Sequence, residues 1–130
     1  MIEFHLEARS GVPTYLQLVQ QVRQAIRLGI LRPGDQLPTV KEVVSSLTIN
    51  PNTVLRAYRE LDLEGLVEGR RGVGTFVVGD AAPVPPDDVK DLRAALQGWI
   101  GQARAAGLDD ESMSALFYDT VRPPAVSRVA

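Results

Sequence analysis

Polar side chains of the kinds that pair with nucleic-acid bases are clustered in a short segment near the middle of the chain. Asn52, Thr53 and Arg56 follow an Asn50-Pro51 pair. Asparagine is a good helix N-cap and proline is tolerated at the first helical position, so a helix is predicted to begin here. An Asn amide can pair with adenine, an Arg guanidinium with guanine, and a Thr methyl group can contact the thymine methyl group. The segment therefore predicts a helix whose outer face reads base edges in DNA.

Two polar residues of this helix also have simpler interpretations. Asn50 is expected to act mainly as a helix cap. Arg59 can either pair with Asp62 and solvate the helix or contact DNA, and the sequence favours neither alternative. Arg56 lies about one turn beyond Asn52 and is the better candidate for base contact.

A second basic cluster, Arg70 and Arg71 followed by Gly72, lies in a glycine-rich segment over 69–74. Strand-like runs flank this segment, so the sequence predicts a hairpin with a basic tip. Arginines there could reach phosphates or a neighbouring minor groove, and the glycines would let the turn form and the backbone approach closely. Taken alone, the pair could equally belong to an ordinary solvated loop.

Three predicted helices precede the hairpin. The first begins at Thr14, and the second begins with a capping box of Thr39 and Glu42. Thr39 and Lys41 in the first turn of the second helix are further candidates for DNA contact, Lys41 through a phosphate. The second and third helices are separated by only three or four residues, as a helix-turn-helix requires. The prediction is a mainly α fold with a small β wing, a winged helix-turn-helix over 1–78 whose third helix enters the major groove.

The N-terminal residues 2–7 alternate in polarity, with Ile2, Phe4 and Leu6 on one side. This pattern fits either a short strand or an extended arm. His5, the only histidine, is expected to be an arm or surface residue and not a ligand.

The composition argues against several classes of protein. The 130 residues contain no cysteine, which excludes disulfide frameworks and thiolate zinc sites. With one histidine and no serine in a nucleophile-elbow context, neither catalysis nor a cofactor is expected. No signal peptide or membrane-spanning segment is recognised, so we expect a cytoplasmic protein without membrane contact.

The net charge of -2 is unusual for a DNA-binding protein, but the charges are unevenly distributed. Residues 1–78 carry nine Lys and Arg against eight Asp and Glu, whereas residues 79–130 carry five against eight. Phosphate contact depends on local clustering and not on the total. The acidic second part would be repelled by DNA, so the two parts are expected to have different functions.

The chain after residue 78 is predicted to mediate dimerisation. An Ala- and Pro-rich linker at 79–86 precedes two helices within 87–121, and 122–130 is expected to be a loose tail. Two helices cannot close a core alone, so their apolar seam would stay exposed unless a second copy covers it. Folding back onto the winged helix as a monomer is the alternative. The seam residues are Leu92, Leu96, Trp99, Ile100, Leu116 and Phe117.

The second part could bind either of two kinds of ligand. Asp109, Asp110 and Glu111 could hold a metal ion, but capping of the last helix explains them better. A small-molecule effector could bind in a crevice between the domains. Nothing in the sequence identifies that effector.

The ordered set of N-terminal motifs resembles the GntR family of bacterial transcription regulators over about residues 10–78. No single motif is specific, but the set is. The matching segments are Pro13-Thr14-Tyr15-Leu16-Gln17, Gly29, Pro33-Gly34-Asp35-Gln36-Leu37-Pro38-Thr39, Asn50-Pro51-Asn52-Thr53-Val54, Ala57-Tyr58-Arg59-Glu60-Leu61, Glu64-Gly65 and Gly72-Val73-Gly74-Thr75-Phe76-Val77.

The resemblance implies an N-terminal winged helix and a variable C-terminal region that dimerises and often senses a ligand. The short two-helix C-terminal region is similar to that of the YtrA subfamily, whose members often lie beside ABC transporter genes and repress them. The DNA contacts of the family, carried onto this sequence, fall on Lys41, Asn50, Asn52, Thr53 and the Arg71-Gly72 tip.

Two positions depart from the family pattern. At the position of Lys41 the family usually has an arginine, and lysine offers a point charge in place of the planar guanidinium. At the position of Leu55 the family often has an arginine that contacts DNA, and Arg56 next to it does not necessarily replace that contact. Operator details of other subfamilies therefore do not transfer to this sequence.

These observations predict a sequence-specific DNA-binding transcription regulator that acts as a homodimer on a palindromic operator. Repression, released or modulated by a small-molecule effector, is the default that the resemblance implies, with transporter genes as implied targets. The alternative is a protein-interaction adaptor that uses a winged helix without binding an operator. Its outer helix face would be expected to be apolar, whereas Asn52, Thr53 and Arg56 are polar.

Overall fold

The computed structural model describes residues 2–79 and 86–122. The chain divides into two compact units, the first ending at Pro86 and the second beginning at Asp87. In the first unit, three helices are followed by an antiparallel hairpin, and the second unit is built from two helices. The elements are α1 (Thr14–Arg27), α2 (Val40–Leu47), α3 (Pro51–Leu63), β1 (Val67–Arg70), β2 (Gly74–Val77), α4 (Pro86–Ala105) and α5 (Asp110–Val121).

The two helices of the helix-turn-helix begin where their capping residues predict. At α2, the Thr39 hydroxyl accepts from the Glu42 amide at 3.1 Å, and the Glu42 carboxylate accepts from the Thr39 amide at 3.1 Å. At α3, the side-chain oxygen of Asn50 accepts from the Asn52 amide at 2.8 Å, and Pro51 occupies the first helical position. These bonds satisfy backbone donors that a helix start leaves unpaired, so local sequence determines both starts.

One hydrophobic core holds the N-terminal unit together, and all three helices and the hairpin contribute to it. The turn between α2 and α3 is tight because Thr48 adopts a left-handed conformation with φ 55°. This turn allows α2 and α3 to pack on the same core as α1. The most deeply buried side chains are Leu18, Val19, Val22, Ile26, Leu37, Val54, Leu61, Val67 and Val77.

The hairpin is longer, and its loop shorter, than the sequence predicted. Gly69 lies opposite Thr75 and Arg70 opposite Gly74 in the ladder of β1 and β2. The prediction of a six-residue tip was therefore wrong, because both ends of that segment extend the strands. Only residues 71–73 form the turn.

The segment that leads into α2 fixes the hairpin to the core. The Leu37 amide donates to the Thr75 carbonyl at 2.8 Å, and the Val77 amide donates to the Asp35 carbonyl at 2.8 Å. The Gly34 amide donates to the Val77 carbonyl, also at 2.8 Å. This segment runs beside β2 as a third extended partner, so the wing and the helix-turn-helix share one junction.

The N-terminal arm is extended and packs on α1 without forming a strand. Phe4 is buried in the core. The Gln21 side chain accepts from the His5 amide at 2.9 Å and donates to the His5 carbonyl at 2.6 Å. Gln17, one turn earlier on α1, does the same for Glu7 at 2.9 and 3.1 Å. Of the two predicted alternatives, the extended arm is the one that forms.

The C-terminal unit is a pair of helices joined by a turn at Gly107, which has φ 97°. The side-chain oxygen of Asp109 accepts from the Ser112 amide at 2.8 Å and caps α5. Hydrogen bonding with Ser112 lowers the pKa of Asp109. Ala103 and Met113 are the buried apolar side chains among the described residues of this unit.

Part of the predicted organisation lies outside the described residues. Within the predicted linker only Gly79 and Pro86, the first residue of α4, are described, and within the predicted tail only Arg122 is. In the part of the chain that the structure covers, no helix has both the length and the apolar character that a membrane span requires.

Candidate nucleic-acid interface

The outward face of α3 presents three exposed polar side chains. Asn52, Arg56 and Arg59 are exposed, whereas Val54 and Leu61 on the opposite face are fully buried. Residues three or four positions apart are neighbours on a helix surface, so these three polar side chains share one face. The fold therefore brings together the candidates Asn52 and Arg56 and adds Arg59 to them.

The candidates at the helix starts combine capping with unused donors. The side-chain oxygen of Asn50 is occupied by the Asn52 amide, which leaves its NH₂ group to donate. The Thr39 hydroxyl accepts from the Glu42 amide and retains its own O–H donor. Lys41 is exposed. The starts of α2 and α3 therefore offer donors that suit phosphate oxygens.

A buried tyrosine fixes the position of α3 against the start of α2. The Tyr58 hydroxyl donates to the Pro38 carbonyl at 2.6 Å, and the tyrosine is 7% exposed. Burial, with a smaller effect of the Glu42 carboxylate, raises the pKa of Tyr58 well above its ordinary value. Tyr58 therefore stays protonated and donates to Pro38 throughout the physiological pH range.

The Arg56 guanidinium stacks on an aromatic ring of α1. Its Cζ atom lies 3.8 Å from the centroid of the Tyr15 ring. Tyr15 is half-buried and packs against the core, whereas Arg56 is exposed. In the sequence, Tyr15 is notable only as part of the Pro13–Gln17 segment that matches the GntR family. No sequence signal could have found this contact, because the two residues are far apart in the chain.

The two wing arginines lie in different environments. The Arg70 guanidinium lies over the Phe76 ring, with its Cζ atom 4.6 Å from the ring centroid. Arg71 is exposed. Gly72 has φ 75°, a conformation that glycine adopts without strain, and the Val73 amide closes the turn on the Arg70 carbonyl at 2.9 Å. The hairpin thus has a basic tip at which Arg71 is the unstacked cation.

The cations of this region have no carboxylate partner within residues 2–79 and 86–122, where the ion pairs are Arg23–Glu64 and Arg104–Asp110. Arg59 in particular does not pair with Asp62, which was one of its two predicted roles. Cations without an internal partner remain available to phosphates. The residues concerned are Lys41, Arg56, Arg59, Arg70 and Arg71.

Apolar side chains are exposed beside these polar groups, which the sequence analysis did not anticipate. Leu55 and Leu63 of α3 are 46% and 77% exposed, and Val73 at the wing tip is 62% exposed. For Leu55 the sequence did contain a signal, because the GntR family often has an arginine at this position. An exposed apolar group on such a helix can contact thymine methyl groups.

The acidic run at the start of α5 is accounted for by local structure. Asp109 caps the helix, and Asp110 accepts from Arg104 at 3.1 Å. Among the described residues, no group of His, Cys, Asp and Glu is arranged to hold a metal ion.

Comparison with known proteins connects this arrangement to a family. The family model of bacterial regulatory proteins, gntR family, matches residues 14–77. The HTH-type transcriptional repressor YtrA of Bacillus subtilis (strain 168) is 36% identical over 109 residues, which are 83% of this chain and 84% of that repressor.

Two solved structures extend the comparison to the fold. YtrA from Sulfolobus acidocaldarius, a GntR-family transcription factor, matches 78% of this chain and 97% of its own with a TM-score of 0.55 and 30% identity. AraR(DBD) in complex with operator ORX1 matches 59% of this chain and 96% of its own with a TM-score of 0.52 and 25% identity. The predicted fold class, the family resemblance and the expectation of a regulator and not an enzyme are confirmed. The chain belongs to the GntR family of bacterial regulatory proteins, in the YtrA-like group with a short C-terminal region, and is a DNA-binding transcription regulator.

Proposed function

We propose that this protein is a homodimeric repressor that binds a two-fold-symmetric operator through α3 and the wing. The observation that carries the proposal is the exposed face of Asn52, Arg56 and Arg59, whose two arginines form no ion pair with a carboxylate of the described residues. The YtrA relative of Bacillus subtilis is named a repressor, and the AraR domain is bound to an operator in its structure.

Base reading is assigned to the outward face of α3. Asn52 and Arg56 are the bidentate candidates for adenine and guanine, and Thr53 is the candidate for a thymine methyl group. Phosphate contacts are assigned to donors outside this face, because such contacts fix register without reading sequence. These donors are Thr39, Lys41, Asn50, Arg70, Arg71 and the Gly72 backbone.

Dimerisation is assigned to the predicted region over 87–121. Leu92 is 64% exposed and Phe117 47% exposed in the single chain, although both are large apolar residues of the predicted seam. Leu96 and Leu116 are each 45% exposed, and Trp99 and Ile100 are half-buried. A two-fold dimer would bury this surface and pair two copies of α3 on half-sites about one helical turn apart.

Modulation by a small molecule requires a cavity, and the C-terminal unit has a crevice of about 440 Å³ between α4 and α5. Its walls include Leu96, Trp99 and Phe117 with Arg104 and Asp110 as polar groups. That size and lining fit a small ligand. Because Leu96, Trp99 and Phe117 also belong to the predicted seam, we assign to this crevice an effector whose binding alters dimerisation, in place of the crevice between domains that the sequence suggested. The resemblance to the YtrA subfamily suggests transporter genes as targets and a cytoplasmic location.

A fluorescence-anisotropy titration with DNA from upstream of the protein's own gene, in low and physiological salt, tests operator binding. We expect tight binding with two chains per duplex that weakens steeply as salt rises, because phosphate contacts release counterions. An Asn52→Ala/Arg56→Ala double variant should fold normally and lose specific binding. Arg27→Ala, which removes an exposed cation from the end of α1, is the matched control and should bind nearly normally.

Two outcomes would contradict the proposal. Unchanged operator binding by the double variant would place the reading surface elsewhere on the molecule. A folded wild-type protein that binds this and other duplexes no better than random DNA would instead favour the adaptor alternative.

Effector binding is measured in a separate experiment by the fluorescence of Trp99, the only tryptophan in the sequence, because this residue lines the crevice.

A further inference from the structure

The contact between Arg56 and Tyr15 joins the first turn of α1 to the outward face of α3. The Arg56 Cζ atom lies 3.8 Å from the centroid of the Tyr15 ring, within the range of a cation–π stack. The ring is fixed on its own side because Tyr15 packs against the hydrophobic core. An exposed, flexible side chain thus rests on a rigid platform.

A stacked guanidinium keeps its hydrogen-bonding capacity. The five N–H donors of arginine lie in the plane of the guanidinium, whereas the stack uses the face of that plane. No carboxylate among the described residues competes for the donors of Arg56. The stack therefore limits the orientations of Arg56 while leaving its donors available to DNA.

We propose that Tyr15 is a positioning residue for operator recognition, which holds Arg56 in the orientation that it needs on DNA. The inference rests on the proposed function. It adds α1 to the reading surface, from which the sequence analysis had omitted it. Binding is strengthened because less side-chain freedom is lost when Arg56 meets its target.

The experiment is a double-mutant cycle on the full-length protein, read by operator affinity. Tyr15→Leu removes the ring and retains an apolar side chain against the core, whereas Tyr15→Phe retains the ring and removes the hydroxyl. The cost of immobilising one long side chain on binding corresponds to about a two- to tenfold change in affinity for each recognition helix. We expect that loss for Tyr15→Leu, near wild-type affinity for Tyr15→Phe, and no further loss when Tyr15→Leu is added to Arg56→Ala.

A merely structural role for Tyr15 would lower affinity equally with and without Arg56, and that result would overturn the inference. Equal losses for Tyr15→Phe and Tyr15→Leu would also overturn it, because the hydroxyl and not the ring would then be the active group. The same holds if Tyr15→Leu binds like wild type. Failure of the proposed function is separate, since it would appear as absent operator binding by the wild-type protein. Thermal unfolding of each variant confirms that the compared proteins are folded.

Discussion

Replacement of Tyr58 by phenylalanine tests how the reading helix is held on the core. The change removes only the hydroxyl that donates to the Pro38 carbonyl at 2.6 Å. Pro38 is itself buried, so water does not readily replace the lost donor. Leaving a buried acceptor unsatisfied costs about 1–3 kcal/mol of the free energy of unfolding. In a domain of this size each kcal/mol lowers Tm by about 4–8 °C.

The same variant predicts a difference in alkaline stability. Below the ordinary tyrosine pKa of 10.0, Tyr58 is protonated in the folded and unfolded states, and its contribution to stability is fully present. As pH rises above this value, the unfolded chain ionises while burial keeps the folded tyrosine protonated. The free energy of unfolding then falls by at most about 1.4 kcal/mol per pH unit from this group. Tyr58→Phe should lack that component.

The assay is thermal and urea unfolding of wild type and Tyr58→Phe at pH 7 and at several values above pH 10. Tyr118→Phe is the chemical control, because Tyr118 is 63% exposed. It should change the free energy of unfolding by less than about 0.5 kcal/mol. A Tyr58→Phe protein as stable as wild type at pH 7, with the same loss at high pH, would refute the reasoning about this hydrogen bond.

Three further changes test other parts of the structure. Trp99→Asp should yield monomers and weaken operator binding, because it places a charge in the apolar seam. Gln97→Asp, on the opposite face of α4, should remain dimeric. Sedimentation of Trp99→Asp as a dimer would refute the assignment of the seam to the dimer interface. Gln17→Ala should lower the free energy of unfolding by about 1–3 kcal/mol and increase amide exchange in the arm, because it removes the hydrogen bonds between the Gln17 side chain and the Glu7 backbone. An equal effect of Gln20→Ala, which changes an exposed residue of the same helix, would contradict this role of Gln17. Gly72→Ala should lower the free energy of unfolding by about 1–2 kcal/mol, because this residue has a φ of 75°. Gly69→Ala should lower it by less, since Gly69 has no positive φ. A lower Tm for Gly69→Ala than for Gly72→Ala would contradict the turn geometry.

The elements that local rules specify were predictable from the sequence. The capping box of Thr39 and Glu42 and the cap formed by Asn50 depend on residues within three positions of each other. The same is true of the Asp109 cap on α5. Such contacts form wherever the chain begins a helix, so they can be read without knowledge of the fold.

The contacts that the sequence did not reveal join residues distant in the chain. The stack of Arg56 on Tyr15 and the hydrogen bonds of Gln17 to the N-terminal arm form only after α1 and its neighbours have packed. The length of the wing loop differs from the prediction for another reason. Glycines at 69 and 74 are typical of turns, but pairing with the opposite strand extends the ladder through both. Cross-strand pairing within the hairpin therefore overrides the turn preference of these glycines.

The central claim, that α3 and the wing read a two-fold-symmetric operator, is tested most directly by selection of DNA from a random duplex library with the full-length protein. The account predicts enrichment of an inverted repeat with half-sites about 10 base pairs apart, centre to centre. It also predicts that the Asn52→Ala/Arg56→Ala protein, folded by thermal unfolding, enriches no such repeat. Enrichment of the same repeat by both proteins, or of no sequence by the wild type, would contradict the claim.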